Sequence, residues 1–504
     1  MLLADVVATS AAVGATRSRK AKVAAFADLL RRAGDTEPDA VPVVTSYLAG
    51  VLRQRRTGLG WRSLQALPDP ASEPTLEVSE VDATFERIAQ LAGAGSQVAR
   101  ADATRSLFAR ATVDEQRWLR GIVTGEVRQG ALDSLVQEGL AVAGGIPVAV
   151  VRRAAMMAGS SVAVATAALS GTEDALAAFT LEVGRPVLPM LASTAPTVES
   201  AMAKAGGGEV AVDTKLDGVR IQVHRRGDEV LVVTRSLDDV TSRHPEVVEI
   251  ARALPCHDIV LDGEVLALGP DGRPRPFQET ASRAATVGGT VRLTPAFFDV
   301  LHLDGRDLVD APTAERLAAL ETVVPEQHRV PRLITADPRE AEEFAAQVLK
   351  LGHEGVVIKS LTAPYAAGRR GATWVKVKPV HTLDLVVLAV ERGSGRRSGW
   401  LSNIHLGARG GDEFVMLGKT FKGMTDDILA WQTERFRDLQ TDDDGYVVTV
   451  RPEQVVEIAF DGVQRSTRYP GGVALRFARV IRYRDDKPPA EADTIDTVRS
   501  FLPT

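Results

Sequence analysis

The sequence predicts a multidomain protein built from an all-α unit, an α/β unit and a small β-barrel, in that order. Its 504 residues suffice for about three domains of ordinary size. Apolar residues recur at helical spacing in the first part of the chain and alternate as in strands after residue 209. Between the two textures stand Pro186, Pro189 and Pro196. Residues 1–183 therefore read as the helical unit, 184–379 as the α/β unit, 380–487 as the barrel, and 488–504 as a polar, loosely held tail.

Within the helical unit, residues 1–16 read as an amphipathic helix. Asp5 interrupts their apolar run, and Arg17, Arg19, Lys20 and Lys22 follow it, whereas a secretory signal places basic residues first. Further helices are read over 23–33, 43–53 and 81–92. In the α/β unit, strands are read over 210–214, 219–224, 230–234, 259–268, 292–301 and 355–359, with helices over 313–323 and 338–351. The break Arg226-Gly227-Asp228 marks a hairpin. After Pro379, strands over 383–391, 404–408, 414–420, 455–460 and 477–483 and a helix over 426–439 fit a closed barrel of the OB type, a frequent nucleic-acid-binding scaffold.

A content of 45% hydrophobic and 25% charged residues is that of ordinary soluble protein. No run approaches the roughly 18 uninterrupted apolar residues of a membrane span. The lone Cys256 excludes a disulfide framework and a cysteine-based zinc site, and reads as a small buried apolar side chain. A net charge of -6 does not advertise a partner rich in phosphate, so any such surface has to be a local patch. Arginines cluster at Arg53, Arg55, Arg56 and Arg62, at Arg369 and Arg370, and at Arg392, Arg396 and Arg397; each cluster alone also suits a solvated face.

Lys215-Leu216-Asp217-Gly218 lies between two strand patterns. Alone it is a weak signal. An ordered series follows it: Thr234-Arg235-Ser236, Asp262-Gly263-Glu264, Phe297-Phe298-Asp299, Glu354-Gly355, Trp374-Val375-Lys376-Val377-Lys378, and a run from Leu475 to Lys487 ending Asp485-Asp486-Lys487. With these segments in order, the chain resembles the covalent nucleotidyltransferases: ATP-dependent DNA ligases, RNA ligases and mRNA capping enzymes. That resemblance makes Lys215 the nucleophile. An amine attacks only when deprotonated, and an ordinary lysine near pKa 10.4 is charged at neutral pH. Desolvation and nearby cations lower that value, and Arg220, Lys376 and Lys378 are the cations expected there.

Lys376 and Lys378 are two apart in a strand pattern, so they are expected to share a face and hold nucleotide phosphates. Glu264 and Glu354 offer hard carboxylate oxygens suited to Mg²⁺. Asp262 shares a face with Glu264, but its Asp-Gly context favours a turn and leaves it outside the expected site. The resemblance further implies that Phe298 stacks on adenine, with Phe297 in the core. It implies that Asp213 accepts a hydrogen bond from the base or its surroundings, where the family commonly has Glu. By the same carry-over, Arg220 and Arg235 grip ribose and phosphate. Arg370 matches another nucleotide-contacting arginine, with Arg369 beside it leaving the register open. Arg476, Arg479, Arg482, Asp486 and Lys487 resemble the barrel motif that closes over ATP, which implies a swing about residues 378–382.

Within the superfamily the chain most resembles the ATP-dependent DNA ligases. Capping enzymes and many RNA ligases lack a large helical domain before the nucleophile. Residues 125–132 resemble a DNA-contacting turn of the ligase helical domain, 186–192 a stretch preceding the nucleophile, and 417–426 a barrel segment. NAD-dependent ligases carry a four-cysteine zinc module that a single cysteine excludes. The resemblance thus implies an all-α DNA-binding domain, an adenylation domain and an OB-fold domain. It implies lysyl-AMP formed from ATP, transfer of AMP to the 5′-phosphate of a nick in double-stranded DNA, and displacement of AMP by the 3′-hydroxyl. A monomer in the cytoplasm, associated with the nucleoid and using Mg²⁺, is the expectation; a sliding-clamp partner is not readable. Richness in Ala, Arg and Val points to a GC-rich prokaryotic, actinobacterial-type genome.

Overall fold

Ten helices pack residues 3–177 around one apolar core in the computed structural model, which describes every residue except 55, 128, 130–132, 288–290, 369, 395–396 and 503–504. They are α1 (Leu3–Ala15), α2 (Arg19–Thr36), α3 (Val41–Leu48), α4 (Val78–Gln90), α5 (Ser96–Ala109), α6 (Val113–Thr124), α7 (Asp133–Gly144), α8 (Val148–Met157), α9 (Ala165–Leu169) and α10 (Glu173–Ala177). Phe26 and Leu30 of α2, Tyr47 of α3, Phe85 of α4, Phe108 of α5, Leu119 of α6 and Leu140 of α7 meet in that core. Burying such side chains stabilises by about 1.5–3 kcal/mol each. Ser18 caps α2, and a Thr112–Glu115 capping box starts α6. The helix expected over 43–53 stops at Leu48, because Gly50 turns the chain at φ 75°. Arg55 lies outside the described residues, as do Arg128, Gly130, Ala131 and Leu132 of the expected DNA-contacting turn.

The α/β unit is two sheets laid face to face. Its strands are β1 (Leu191–Thr194), β2 (Val210–Lys215), β3 (Val219–Arg226), β4 (Glu229–Thr234), β5 (Asp258–Ala267), β6 (Leu293–Leu303), β7 (Arg306–Asp307), β8 (Arg332–Thr335), β9 (Gly355–Ser360) and β10 (Arg370–Val377). One sheet has the order β1-β10-β9-β2-β8 and the other β4-β3-β5-β6-β7. Helices α11 (Val198–Lys204) and α15 (Pro338–Lys350) cover the first. Helices α12 (Pro245–Ala253), α13 (Phe277–Ala285) and α14 (Thr313–Val323) serve the second. Between the sheets lie Val187, Met190, Val260, Leu301, Tyr365 and Trp374, and this apolar layer reaches Met157 and Phe179 of the helical unit.

The barrel contains β11 (His381–Arg392), β12 (Leu401–Gly410), β13 (Glu413–Thr420), β14 (Gln440–Asp443), β15 (Val447–Val450), β16 (Val455–Phe460), β17 (Gly462–Arg465), β18 (Val473–Arg476) and β19 (Arg479–Arg484), with α16 (Asp426–Asp438). The long strand β11 pairs with β12, β15 and β16, which curls the sheet around Leu385, Leu406, Leu417, Phe436 and Ile458. The last segment is docked rather than loose. Val498 of α17 (Ile495–Arg499) is fully buried, Asp493 exchanges hydrogen bonds with the Asp384 backbone, and Phe501 meets Phe460 with ring centroids 5.3 Å apart. Its apolar residues Ile495, Val498, Phe501 and Leu502 have helical spacing, which its polar composition masked. No helix of the described residues is long and apolar enough to cross a membrane.

One buried histidine ties the entry to the α/β unit to pH. His224 Nδ1 accepts from the Gly184 N–H at 3.1 Å, so its ring hydrogen sits on Nε2, 2.9 Å from Gln222 Oε1. Burial pushes its pKa down to about 4, with His302 adding to the effect. Between pH 6.5 and about 4 the unfolded chain therefore binds the extra proton. The stability this neutral ring contributes, at most about 3 kcal/mol, is present above pH 6.5 and lost as pH falls through that window. Urea unfolding of the protein and of His224→Gln should show a shallower loss of stability in the variant between about pH 7 and about pH 5; equal slopes would remove His224 as the source.

Candidate active site

Lys215 is the last residue of β2, and after Leu216, Asp217 and Gly218 the chain resumes as β3 in the opposite sheet. The tetrad is thus the crossing between the sheets. A Cβ at Gly218 would lie 2.4 Å from the Val265 carbonyl oxygen of β5, so only glycine passes there. The Gly218 N–H donates to Glu264 Oε2 at 3.2 Å. Register places Lys215 opposite Gly355 of β9, which brings Glu354 alongside it. Gly355 has φ 142°, and a Cβ there would meet the Val377 carbonyl oxygen at 2.3 Å.

At this crossing opens a cleft of about 340 Å³, in the range of small-molecule sites. Asp213, Lys215, Arg220, Arg235, Glu264, Phe298, Arg370 and Lys376 line it, among the residues singled out in the sequence. Apolar walls come from Leu191, Val219 and Val357. Phe298 meets Trp374 edge to face at 5.9 Å, while Phe297 is fully buried in the core behind it. Arg369 lies outside the described residues, so its share against Arg370 stays undivided. Lys376 is held below its ordinary pKa by burial and by the neighbouring Lys378 and Lys215.

Several expectations change. Lys376 lines the cleft, whereas Lys378, one residue past the end of β10, is not among its lining residues. Lys378 reaches instead to Glu354 Oε1 at 3.1 Å and to Asp461 of the barrel, which hold it above its ordinary pKa despite burial. Glu354 also binds Lys215 Nζ; burial works against its charge, but the two ammonium groups hold it below the usual carboxylate range. Asp262 belongs to the site and is not in a turn. It is fully buried within β5, and its oxygens take Arg220 Nε at 3.0 Å, Arg220 Nη2 at 2.6 Å and the Tyr365 hydroxyl at 2.6 Å. Arg220 is therefore clamped, with its guanidinium 5.4 Å from the Phe298 ring centroid.

Sequence reasoning missed Arg332 and did not give Lys359 a role. Asp213 Oδ2 accepts from Arg332 Nη2 at 2.8 Å and from Lys359 Nζ at 2.7 Å, and Arg332 Nε binds the other oxygen. Burial opposes the charge on Asp213, yet these two cations hold its pKa below the ordinary value. Lys359 Nζ also stands 4.6 Å from the Phe298 ring centroid and 4.2 Å from that of Trp374. Glu264 is the contrasting carboxyl: burial pushes it up to about 7 against the pull of Lys215 and Arg220.

The barrel touches this site through charged groups. Arg476 binds both oxygens of Asp217, one at 3.0 Å, and the Gln278 side chain donates to the Arg465 carbonyl at 3.1 Å. Arg479 stands 3.7 Å from Asp461. The rest of the expected working face points elsewhere: Arg482 pairs with Glu457 at 2.7 Å, Asp486 with Arg484 at 2.8 Å, and Lys487 with Asp384 at 2.8 Å. Alternation along β19 allows only one of its faces to meet the cleft. An amine beside a carboxylate, a flat aromatic wall and a rim of Arg235, Arg370 and Lys376 can take a planar base and its phosphates and attack a phosphorus.

Comparison with known proteins agrees with this geometry. Residues 189–378 match the ATP dependent DNA ligase domain, 397–487 the ATP dependent DNA ligase C terminal region, and 62–141 the DNA ligase N terminus. A probable DNA ligase of Nocardioides sp. is 71% identical over 508 residues, covering 100% of this chain and 99% of its own. One of Kineococcus radiotolerans is 66% identical over 502 residues, covering 99% of each. The solved structure of Pmar-Lig_PreS3 shares the fold, with a TM-score of 0.64 at 18% identity over 95% of this chain and 99% of that one. With the adenylation, helical and barrel domains all matched and near-full-length identity this high, the chain belongs to the ATP-dependent DNA ligase family of enzymes.

Proposed function

We propose that the protein seals nicks in duplex DNA through an adenylate carried on Lys215 Nζ. The observation that carries this reading is the placement of Lys215 at the sheet crossing, inside the cleft and in contact with Glu354. Nζ attacks the α-phosphorus of ATP; an N–P bond forms, the P–O bond to the β-phosphate breaks, and pyrophosphate leaves. The proton that Nζ must lose has Glu354 Oε2 as its hydrogen-bonded acceptor. The 5′-phosphate of a nick then takes AMP from Lys215, and the adjacent 3′-hydroxyl displaces AMP to form the phosphodiester. Arg235, Arg370 and Lys376 supply positive charge along the cleft for the phosphates.

Glu264 and Glu354 fit Mg²⁺ as two carboxylates whose remaining ligands are phosphate and water. Burial leaves Glu264 short of counter-charge, as its raised pKa of about 7 reflects. When bound, the ion supplies charge neutralisation at the phosphates.

The base reading follows from Asp213. Held ionised by Arg332 and Lys359, it only accepts hydrogen bonds, so it suits the amino group of adenine and repels the carbonyl oxygen of guanine.

Incubation with Mg²⁺ and α-labelled ATP should label the protein, and a chase with nicked DNA should remove the label as the DNA is joined. Lys215→Ala should abolish labelling; a labelled variant would displace Lys215 as the nucleophile. Arg332→Met should raise the KM for ATP in self-adenylation by about tenfold, the loss of roughly one charge-assisted hydrogen bond, and narrow the preference over GTP. An unchanged ratio would remove Asp213 from base selection. A short bis-maleimide link between Gln278→Cys and Arg465→Cys should spare self-adenylation and stop joining, because it holds the barrel against the cleft through the contact it now makes there. Joining by the linked protein would exclude a barrel swing.

A further inference from the structure

A second cleft, in the helical unit and remote from Lys215, has the composition of an oxyanion site. It measures about 330 Å³ and is formed by α5 and by residues 58–68. Gly58, Ser63, Gln97, Arg100, Thr104 and Arg105 supply its polar surface, and no carboxylate occurs among its described lining residues. In a chain of net charge -6, a cleft with two arginines and no acid is a local reversal of sign.

The donors at this cleft are only partly committed. Arg100 uses Nη2 on the Leu91 carbonyl at 2.7 Å, but its Nε is buried without a partner. Such a donor costs about 1–3 kcal/mol unless something accepts from it. Gly58, at φ 70°, lets the loop lie against this guanidinium; a Cβ there would stand 3.0 Å from Arg100 Cζ and Nε. Ser63 Oγ accepts from the Gly60 N–H at 3.3 Å, which leaves the hydroxyl proton to donate. Trp61, in the same loop as Ser63, is 59% exposed, and Arg120 lies 5.9 Å over its ring.

We propose that this cleft binds a phosphoryl oxyanion, held by the guanidinium groups of Arg100 and Arg105 and by Ser63. A phosphodiester of the nucleic-acid backbone and a free phosphate share that chemistry. The first source rests on the ligase reading; the second does not. Arg105→Gln, on the surface, and Arg100→Lys, which keeps the charge but removes the fork, separate loss of the site from loss of the fold.

Binding of nicked duplex would be measured across a salt series, and thermal unfolding with and without inorganic phosphate, for the protein, for each single variant and for Arg100→Gln with Arg105→Gln. For a backbone phosphate, the double variant should lower the slope of log K against log salt by about one and Arg105→Gln alone by less than that, with self-adenylation from labelled ATP unchanged. For a free phosphate, inorganic phosphate should raise the unfolding temperature of the parent and not of the variants, with the DNA slope unaltered. Equal slopes and equal phosphate responses in all forms would overturn the proposal. Loss of labelling by Lys215→Ala, or its absence, bears on the ligase reading alone.

Discussion

At residues 215–218 the main chain leaves one sheet and enters the other, and it can do so only because Gly218 presents hydrogen where any side chain would strike the Val265 carbonyl. This close approach seats the crossing against β5, the strand that carries Glu264. It brings Lys215 from β2, Glu264 from β5 and Glu354 before β9 to one place, although they are far apart in the chain. The cleft is therefore a product of where two sheets can touch. Its reactive groups sit on or directly beside strands, which are rigid supports for a nucleophile.

Charge pairing then decides what each polar side chain can do. Asp262 immobilises Arg220 beneath Phe298, and Arg332 with Lys359 immobilises Asp213. Such buried pairs add little net stability compared with apolar packing, but they hold geometry, since removing one partner leaves an uncompensated charge. Arg235, Arg370 and Lys376 face the cleft itself, and Glu264 stands without enough positive charge around it. The division separates groups that support the site from groups turned toward a ligand.

The joints between domains differ in kind. An apolar layer running from Met157 to Trp374 fastens the helical unit to the α/β unit. The hydrophobic clusters of the barrel, by contrast, stay within the barrel, and its described contacts with the cleft are polar: Asp217 with Arg476 and Lys378 with Asp461. Parting a polar joint returns charges to water, whereas parting an apolar one exposes surface at about 25 cal/mol per Å². The barrel is thus attached by the kind of contact that permits the proposed swing aside for DNA.

Periodicity and turn residues were enough to read the order of the three units and most of their longer elements, because helices and half-buried strands carry their apolar period in local sequence. The ordered motifs were likewise enough to pick out eight of the charged and aromatic residues that line the cleft, though not a role for Lys359 beside them. Short edge strands escaped: β8 is four residues with Arg332 at its start and Ile334 exposed, so it has no apolar stripe to read. The docking of the last segment escaped because composition conceals three or four well-spaced apolar side chains. Asp262 looked like a turn residue, and only the pairing of β3 with β5 shows it inside a sheet opposite Gln222, two residues along from the arginine it binds. Local sequence determined which residue types were on offer and the elements that carry them; which carboxylate takes which cation was decided by tertiary structure, since ion pairs form between groups that folding brings together across more than a hundred residues.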